Sequence, residues 1–206
     1  MSFYENHILP RFINCACGAK PIRYQREKVV PRASGVVLEI GIGTGLNLPH
    51  YDADRVERLI GLDPSERSWE LAGERAAALG FDVEFVGLPG EQIPLDDDSV
   101  DTVLVTYSLC TIPDPVAALE GMARVLKPGG TLLFAEHGRA PDAKVRTWQD
   151  RINPLWSRIA GGCNLNRDIP SLLGDGGFKV AEMDEMYLPS TPKFAGYNYW
   201  GSASPA

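Results

Sequence analysis

Leu38-Glu39-Ile40-Gly41-Ile42-Gly43-Thr44-Gly45 is the stretch from which the fold is read. With Val36 and Val37 before it, residues 36–40 make a compact β-branched run, the pattern of a buried strand. Three glycines follow at once. Glycines directly after a buried strand let the backbone turn into a helix and approach a ligand closely. Taken alone, the loop also fits a plain tight turn. Its spacing is G-x-G-x-G, and Leu46 stands where a dinucleotide fingerprint has its third glycine or alanine. No Gly-Lys-Ser/Thr follows, so the loop is not a phosphate-binding P-loop. Glu39, just inside the strand end, repels phosphates but suits a cationic, amino-acid-bearing ligand. A nicotinamide-dependent oxidoreductase is therefore disfavoured.

Downstream, residues 58–62 read as a second strand that closes on Asp63. An acid at this place accepts hydrogen bonds from ribose hydroxyls in doubly wound nucleotide sites. Helix capping is its other role, and the two are compatible. Residues 65–79 read as a helix with Ser65 as N-cap and Gly80 as stop. Strands are predicted at 83–86, 100–106 and 131–136. A helix at 115–126 lies before the last of these, with Leu119, Met122, Ala123 and Leu126 on one face, and Lys127-Pro128-Gly129-Gly130 ends it. Strands alternating with helices predict an α/β fold, a doubly wound parallel sheet covered on both faces. Such sheets bind ligands at the carboxyl ends of their strands. Residues 147–159 read as an amphipathic helix and 169–173 as a short one. Residues 178–186 and 195–200 are the final strands, a hairpin pair at one edge. The expected sheet is thus seven-stranded and mostly parallel, with an antiparallel edge strand.

Upstream, the first 34 residues read as helical. Phe3, Ile8, Phe12 and Ile13 recur at helical spacing, Pro10 breaks or kinks the segment, and Cys17-Gly18 reads as a helix end. A second, basic helix runs over 22–30 and stops at Pro31. The 206 residues make a single domain: 1–34 an N-terminal helical lid, 35–137 the ligand-binding core, and 138–206 substrate-side helices and final strands.

The net charge of -7 and the absence of any Lys/Arg-rich run argue against a nucleic-acid partner, whose phosphates require a basic face. Asp96-Asp97-Asp98 reads as a solvated loop. Cys15, Cys17, Cys110 and Cys163 include no Cys-x-x-Cys pair, so no metal site is expected from spacing, and a reducing, cytoplasmic home fits best. The start lacks the basic-then-apolar pattern of a signal peptide, and no apolar run is long enough to span a membrane. Oligomeric state stays open.

Three motifs resemble those of the class I S-adenosylmethionine-dependent methyltransferases. Leu38 to Gly45 is similar to the first. Gly90-Glu91-Gln92-Ile93-Pro94-Leu95 followed by Ser99-Val100-Asp101-Thr102-Val103 is similar to the second, and Leu126-Lys127-Pro128-Gly129-Gly130-Thr131-Leu132 to the third. The resemblance implies a Rossmann-like fold with S-adenosylmethionine as cofactor. It implies that Glu39, Gly41, Gly43 and Gly45 serve the methionine part, with Thr106 beneath it. Asp63 would hold the ribose, Pro64 would pack on the adenine, and the backbone of Gly90 and Glu91 would meet its edge. Relatives often carry a polar side chain just before Gly90; here Leu88 and Pro89 stand instead.

A narrower resemblance, carried by Ser108-Leu109-Cys110-Thr111-Ile112, Glu136-His137 and Gly162-Cys163-Asn164-Leu165-Asn166-Arg167, is to the methyltransferase-like thiol S-methyltransferases and their bacterial relatives. It implies methyl transfer to a small-molecule thiol. The neighbouring quinone C-methyltransferases and phospholipid N-methyltransferases share the three motifs. Mammalian thiol members carry a hydrophobic anchor that this sequence lacks. The segment before Cys17 is then a lid or an interfacial contact, and peripheral membrane contact stays open.

Methyl transfer from a sulfonium is an in-line displacement, which orientation accelerates. A thiol is partly ionised at neutral pH and strongly nucleophilic, so it needs little base assistance. His137, after the fifth strand, is the candidate base, with Glu136 to orient it. A structural histidine is the competing reading. His7 and His50 are weaker candidates. Cys110 is either a small buried hydrophobe or a wall of the acceptor site. Cys163, Asn164 and Arg167 are candidate substrate contacts, and Arg167 suits either a carboxylate-bearing thiol or a surface ion pair. Trp148, Trp156, Tyr197 and Trp200 either line an apolar acceptor pocket or fill the core. A bare cofactor-binding module would not need the long C-terminal region.

Overall fold

The computed structural model describes residues 14–206. The expectations placed on residues 1–13, including His7 and Pro10, lie outside that range. Residues 14–17 are helical and end at Gly18, as the sequence predicts. Helix α1 (Lys20–Val29) follows, and a 3-10 turn (Val30–Arg32) carries Pro31.

Seven strands form one sheet: β1 (Gly35–Ile40), β2 (Val56–Leu62), β3 (Asp82–Val86), β4 (Val100–Thr106), β5 (Leu126–His137), β6 (Phe178–Tyr187) and β7 (Tyr197–Pro205), in the order β3-β2-β1-β4-β5-β7-β6. β1 to β5 pair in parallel, and β7 runs antiparallel to both β5 and β6. The predicted hairpin pair thus supplies the antiparallel edge of the sheet. The most buried strands, β1 and β4, are mostly apolar because both of their faces are covered, with Glu39 in β1 and Asp101, Thr102 and Thr106 in β4 as the polar members. The outermost strand, β6, exposes Lys179, Glu182, Asp184 and Glu185, charges that discourage pairing with another edge.

Helix α4 (Pro115–Val125) shows how local sequence sets an element. Asp114 accepts a hydrogen bond from the Ala117 N–H at 3.0 Å, Pro115 occupies the first turn, and Ala118, Leu119, Met122 and Val125 are buried. Leu119 and Met122 join the core beside Phe134 and Val103. Full burial of such a side chain is worth about 1.5–3 kcal/mol.

Two expectations are corrected. The helix predicted over 65–79 divides into α2 (Glu66–Glu70) and α3 (Gly73–Ala77). Ser65 caps α2 as predicted, but the break falls at Leu71 and Ala72, where Ala72 is fully buried against Gly45. The fifth strand also starts before Lys127-Pro128-Gly129-Gly130. Leu126 already pairs with Val100, and the register shifts before Thr131 meets Thr102, so the turn residues bulge out of a continuing strand. The remaining helices are α5 (Ala143–Ile159), α6 (Ile169–Asp175) and α7 (Lys193–Gly196). No helix among the described residues is long and apolar enough to cross a membrane.

The strand order reverses between β1 and β4. A crevice outside the carboxyl ends of these two strands is where an open α/β sheet takes its ligand.

Candidate active site

The loop after β1 is shaped by where it is crowded. Gly41, Gly43 and Gly45 all have positive φ, at 75°, 50° and 69°. A Cβ on Gly41 would overlap Ser108 of the loop after β4, 2.7 Å from its Cβ, so this glycine lets the two loops meet at the switch point. Gly43 differs. A Cβ there meets nothing nearer than Asp63 Oδ2 at 3.7 Å, so its open side faces Asp63.

Asp63 accepts from the Gly43 N–H at 3.1 Å and from the Ser65 N–H at 2.8 Å. Burial raises its pKa, and these two donors partly offset that. Each carboxylate oxygen keeps a further lone pair for a ligand hydroxyl. Pro64 beside it is exposed. Gly90 is buried against Ile40 and Ile112, while the Glu91 side chain accepts from the Asp114 N–H at 3.1 Å.

Beneath the loop lies a polar knot of buried groups. Glu39 accepts from Asn47 Nδ2 at 2.9 Å and from the Tyr51 hydroxyl at 2.6 Å. Burial raises its pKa against those two hydrogen bonds and the nearby Arg26 charge. Arg26, reaching in from α1, donates through Nη1 to Asn47 Oδ1 at 2.7 Å and to Thr106 Oγ1 at 2.5 Å, and its guanidinium stands 5.1 Å from the Tyr107 ring centre. Its Nε is buried with no hydrogen-bond partner among the described residues. Arg26, Asn47 and Tyr51 escaped the reading of the sequence. Arg26 lies in a helix whose only local signal is its basic composition.

The far side of the crevice is built on Glu136, fully buried at the end of β5. Its Oε1 accepts from the N–H groups of Ser108 at 2.7 Å and Leu109 at 3.0 Å, while Oε2 is buried without a partner among the described residues. Burial pushes its carboxyl up to about 6, against the backbone donors of Ser108, Leu109 and Cys110 and the neighbouring His137. Tyr107 enters this loop with a φ of 53°, an uncommon conformation for a non-glycine residue. Its hydroxyl donates to Asn198 Oδ1 at 2.6 Å, and its ring lies 6.4 Å from His137.

His137 Nε2 is 3.2 Å from Cys163 Sγ, and its Nδ1 is buried without a partner among the described residues. Burial works to lower the imidazole pKa, but Cys163 and Glu136 outweigh it and the net direction is up. The Cys163 thiol is itself pushed up, first by its contact with Cys110 and then by burial, so Cys163 holds its proton at neutral pH. Cys110 is buried, and its Sγ points at the Tyr107 carbonyl. Asn164 ties the two cysteine loops together: its N–H and its Nδ2 both donate to the Cys110 carbonyl, at 2.8 and 3.1 Å. Arg167 donates to the Leu109 carbonyl, and among the described residues it has no ion pair.

The candidate residues Glu136, His137, Cys110, Cys163, Asn164 and Arg167 therefore converge. Of the four aromatics, Trp156 reaches the site, with Nε1 3.4 Å from Cys163 Sγ. Trp148 is 60% exposed on α5, Tyr197 packs in the core against Tyr187 and Tyr199, and Trp200 lies under Lys28. His50 sits in the turn Leu48–His50, away from these residues.

Comparison with known proteins falls on the same crevice. The family described as a methyltransferase domain matches residues 38–134. Thiol S-methyltransferase TMT1B of Homo sapiens is 33% identical over 185 residues, 84% of this chain and 75% of that protein. Demethylmenaquinone methyltransferase of Clavibacter sepedonicus is 34% identical over 122 residues, 59% of this chain and 49% of that protein. Other curated relatives are spanned over 39% to 64% of their length. A solved SAM-dependent methyltransferase of Thermotoga maritima shares the fold, with a TM-score of 0.66 at 22% identity, over 97% of this chain and 98% of that one. The strand order, the glycine loop bonded to the acid that closes the neighbouring strand, and a relative matched over three quarters of its length lead to one family: the chain belongs to the class I S-adenosylmethionine-dependent methyltransferases, and S-adenosylmethionine is its cofactor.

Proposed function

We propose that this methyltransferase acts on a small-molecule thiol. The observation that carries the reading is the acceptor side of the crevice, where His137 lies against Cys163 beside the loop that meets the glycine turn. A thiol acceptor needs alignment and a weak base rather than a strong one. The similarity to the human thiol S-methyltransferase supports the same acceptor class.

The bound cofactor supplies a methyl group on a sulfonium. The residues present fit it. The open side of Gly43 and the free lone pairs of Asp63 suit a ribose, with Pro64, Gly90 and Glu91 around the adenine. Gly41, Gly45, Glu39 and Thr106 shape the methionine end. The unpartnered Nε of Arg26 is a charge-assisted donor for the amino-acid carboxylate. With that bond, α1 closes the crevice as a lid. Glu136 holds the 108–110 loop through its backbone N–H groups and is a positioning residue. His137 takes the thiol proton, and Arg167 stands where it stabilises a thiolate or a carboxylate-bearing acceptor. A reducing, cytoplasmic setting keeps Cys110 and Cys163 as thiols.

A quinone C-methyltransferase is the second reading, favoured by the Clavibacter relative, and a phospholipid N-methyltransferase stands beside it. The deciding experiment incubates purified protein and S-adenosylmethionine with a panel of small thiols, a quinol and phosphatidylethanolamine, and reads the products by mass spectrometry. Protein-dependent methyl thioethers are expected. Methylation of the quinol or the lipid alone would replace the thiol reading and leave fold and cofactor intact.

A further inference from the structure

Cys110, His137 and Cys163 lie far apart in sequence, yet their two sulfurs and an imidazole nitrogen all lie within 4.8 Å of one another. We propose that these three side chains bind one divalent cation of the zinc class and leave its fourth position for the acceptor thiol; the second half of this proposal rests on the thiol reading.

The ligand chemistry fits. Two thiolates and one imidazole with an open position make a known type of catalytic zinc site. Tetrahedral bonds of ordinary length place sulfur and nitrogen ligands roughly 3.5 Å apart. The Cys163–His137 pair stands at 3.2 Å, so a small outward movement admits the ion. Each ligand is also held from behind. Glu136 fixes the loop that carries Cys110, and Asn164 clamps the Cys163 loop to the Cys110 carbonyl. His137 is paired with Asn198 at the end of the sheet. The Trp156 N–H points at Cys163 Sγ, the kind of outer-shell donor that steadies a metal thiolate. Among the described residues His137 Nδ1 and Glu136 Oε2 are both buried without partners, so these residues leave polar requirements of the pocket unmet. Two thiolates neutralise the divalent charge, and the unpaired Arg167 balances the third thiolate brought by the acceptor.

The balance of the reaction follows. Metal binding releases the two cysteine protons to solvent. The acceptor thiol loses its proton to solvent on becoming the fourth ligand, because a metal-bound His137 no longer takes it. Its sulfur forms the new S–C bond as the methyl–sulfonium bond breaks, giving a neutral thioether and neutral S-adenosylhomocysteine. The thioether, a weak ligand, then leaves.

The test loads chelator-treated full-length protein with cobalt(II) and follows thiolate-to-cobalt absorption. One equivalent is expected to give the band in wild type and in the C15S/C17S double variant. C110S and C163S are expected to lose it while still binding S-adenosylmethionine by calorimetry, which shows that they fold. Trp156→Phe is expected to weaken cobalt binding about 10-fold. No band in wild type, or a band that survives in C110S and C163S but vanishes in C15S/C17S, overturns the site. Adding a small thiol is expected to shift the band; an unchanged spectrum overturns the fourth-ligand role. Thiol methylation by metal-free protein at the full rate would overturn that role too, while leaving the thiol reading intact. Cobalt binding without methylation of any thiol would sink the thiol reading and keep the metal site.

Discussion

The two ends of the sheet use carboxylates in the same way but surround them differently. At the amino ends, Asp101 accepts from the Val36 N–H at 2.9 Å and from Lys127 at 2.9 Å, and it is partly open to solvent. Burial is the largest single influence and raises its pKa, but the Lys127 and Val36 hydrogen bonds and the Lys127 charge together outweigh it and the net direction is down. At the carboxyl ends, Glu136 accepts backbone N–H groups but has no cation bonded to it among the described residues, and its burial is complete. Its carboxyl rises to about 6. At Glu136 burial outweighs the backbone donors and the neighbouring His137, whereas at Asp101 the Lys127 bond helps tip the balance the other way. One end is built for stability, and the other keeps its electrostatics unsettled, as binding sites often do.

The glycines sharpen the contrast. Gly41→Ala should be the most damaging single change, because a positive φ adds to the overlap with Ser108. We expect a loss of about 3 kcal/mol, read as a fall of roughly 6–12 °C in melting temperature. A loss under about 1 kcal/mol would mean that the two loops do not meet as described. Asp63→Ala should leave stability nearly unchanged but weaken S-adenosylmethionine binding by about 2–3 kcal/mol in calorimetry. Unchanged affinity would remove Asp63 from the cofactor site.

The pH comparison comes next. The Glu136 pKa is raised from 4.5 to about 6, so the folded state favours its protonated form. Its contribution is fully present below pH 4.5 and is lost as pH rises through 6, about 2 kcal/mol in all. Urea unfolding of wild type and Glu136→Gln should therefore diverge between these values, the wild type losing stability relative to the variant. Parallel curves would place the unpartnered oxygen in contact with water or a cation.

Gly129→Ala, at the amino end, has a φ of 83° but an open neighbourhood. It should cost only about 1 kcal/mol by chemical denaturation, from backbone strain alone. Asp101→Asn should have the smallest effect. Its depressed pKa means that its stabilisation is present above 3.8 and is lost as pH falls below that value. Solvent screening at this half-exposed pair keeps it below about 1 kcal/mol at neutral pH. A larger loss would show that the two ends are less different than their surroundings imply.

Local pattern made most of the scaffold legible. The buried runs of β1, β2 and β4, the glycine turn, the Ser65 cap and the order of elements follow from periodicity and turn chemistry. The strand before the Lys127 turn did not, because Leu126 is strand only by virtue of its pairing with Val100. Nor did the break in the 65–79 helix, which depends on Ala72 packing beside Gly45. At the site, Asp63 and Glu136 stand at strand ends and are visible from position alone. Trp148 and Trp156 share one helix and similar chemistry, yet only Trp156 reaches the cysteines. No property of the residue type separates them.

The sequence by itself determined the α/β class, the ligand end of the sheet, the rejection of phosphate-binding loops and the methyltransferase family. These rest on contiguous motifs, whose geometry is set within a few residues. Only the tertiary structure decided that Arg26 enters from another helix to meet Asn47 and Thr106, and that Cys110, His137 and Cys163 share one pocket. Parallel strands are joined by long crossovers, so the loops at their carboxyl ends are distant in sequence and adjacent in space. The contacts made there leave no local periodicity to read.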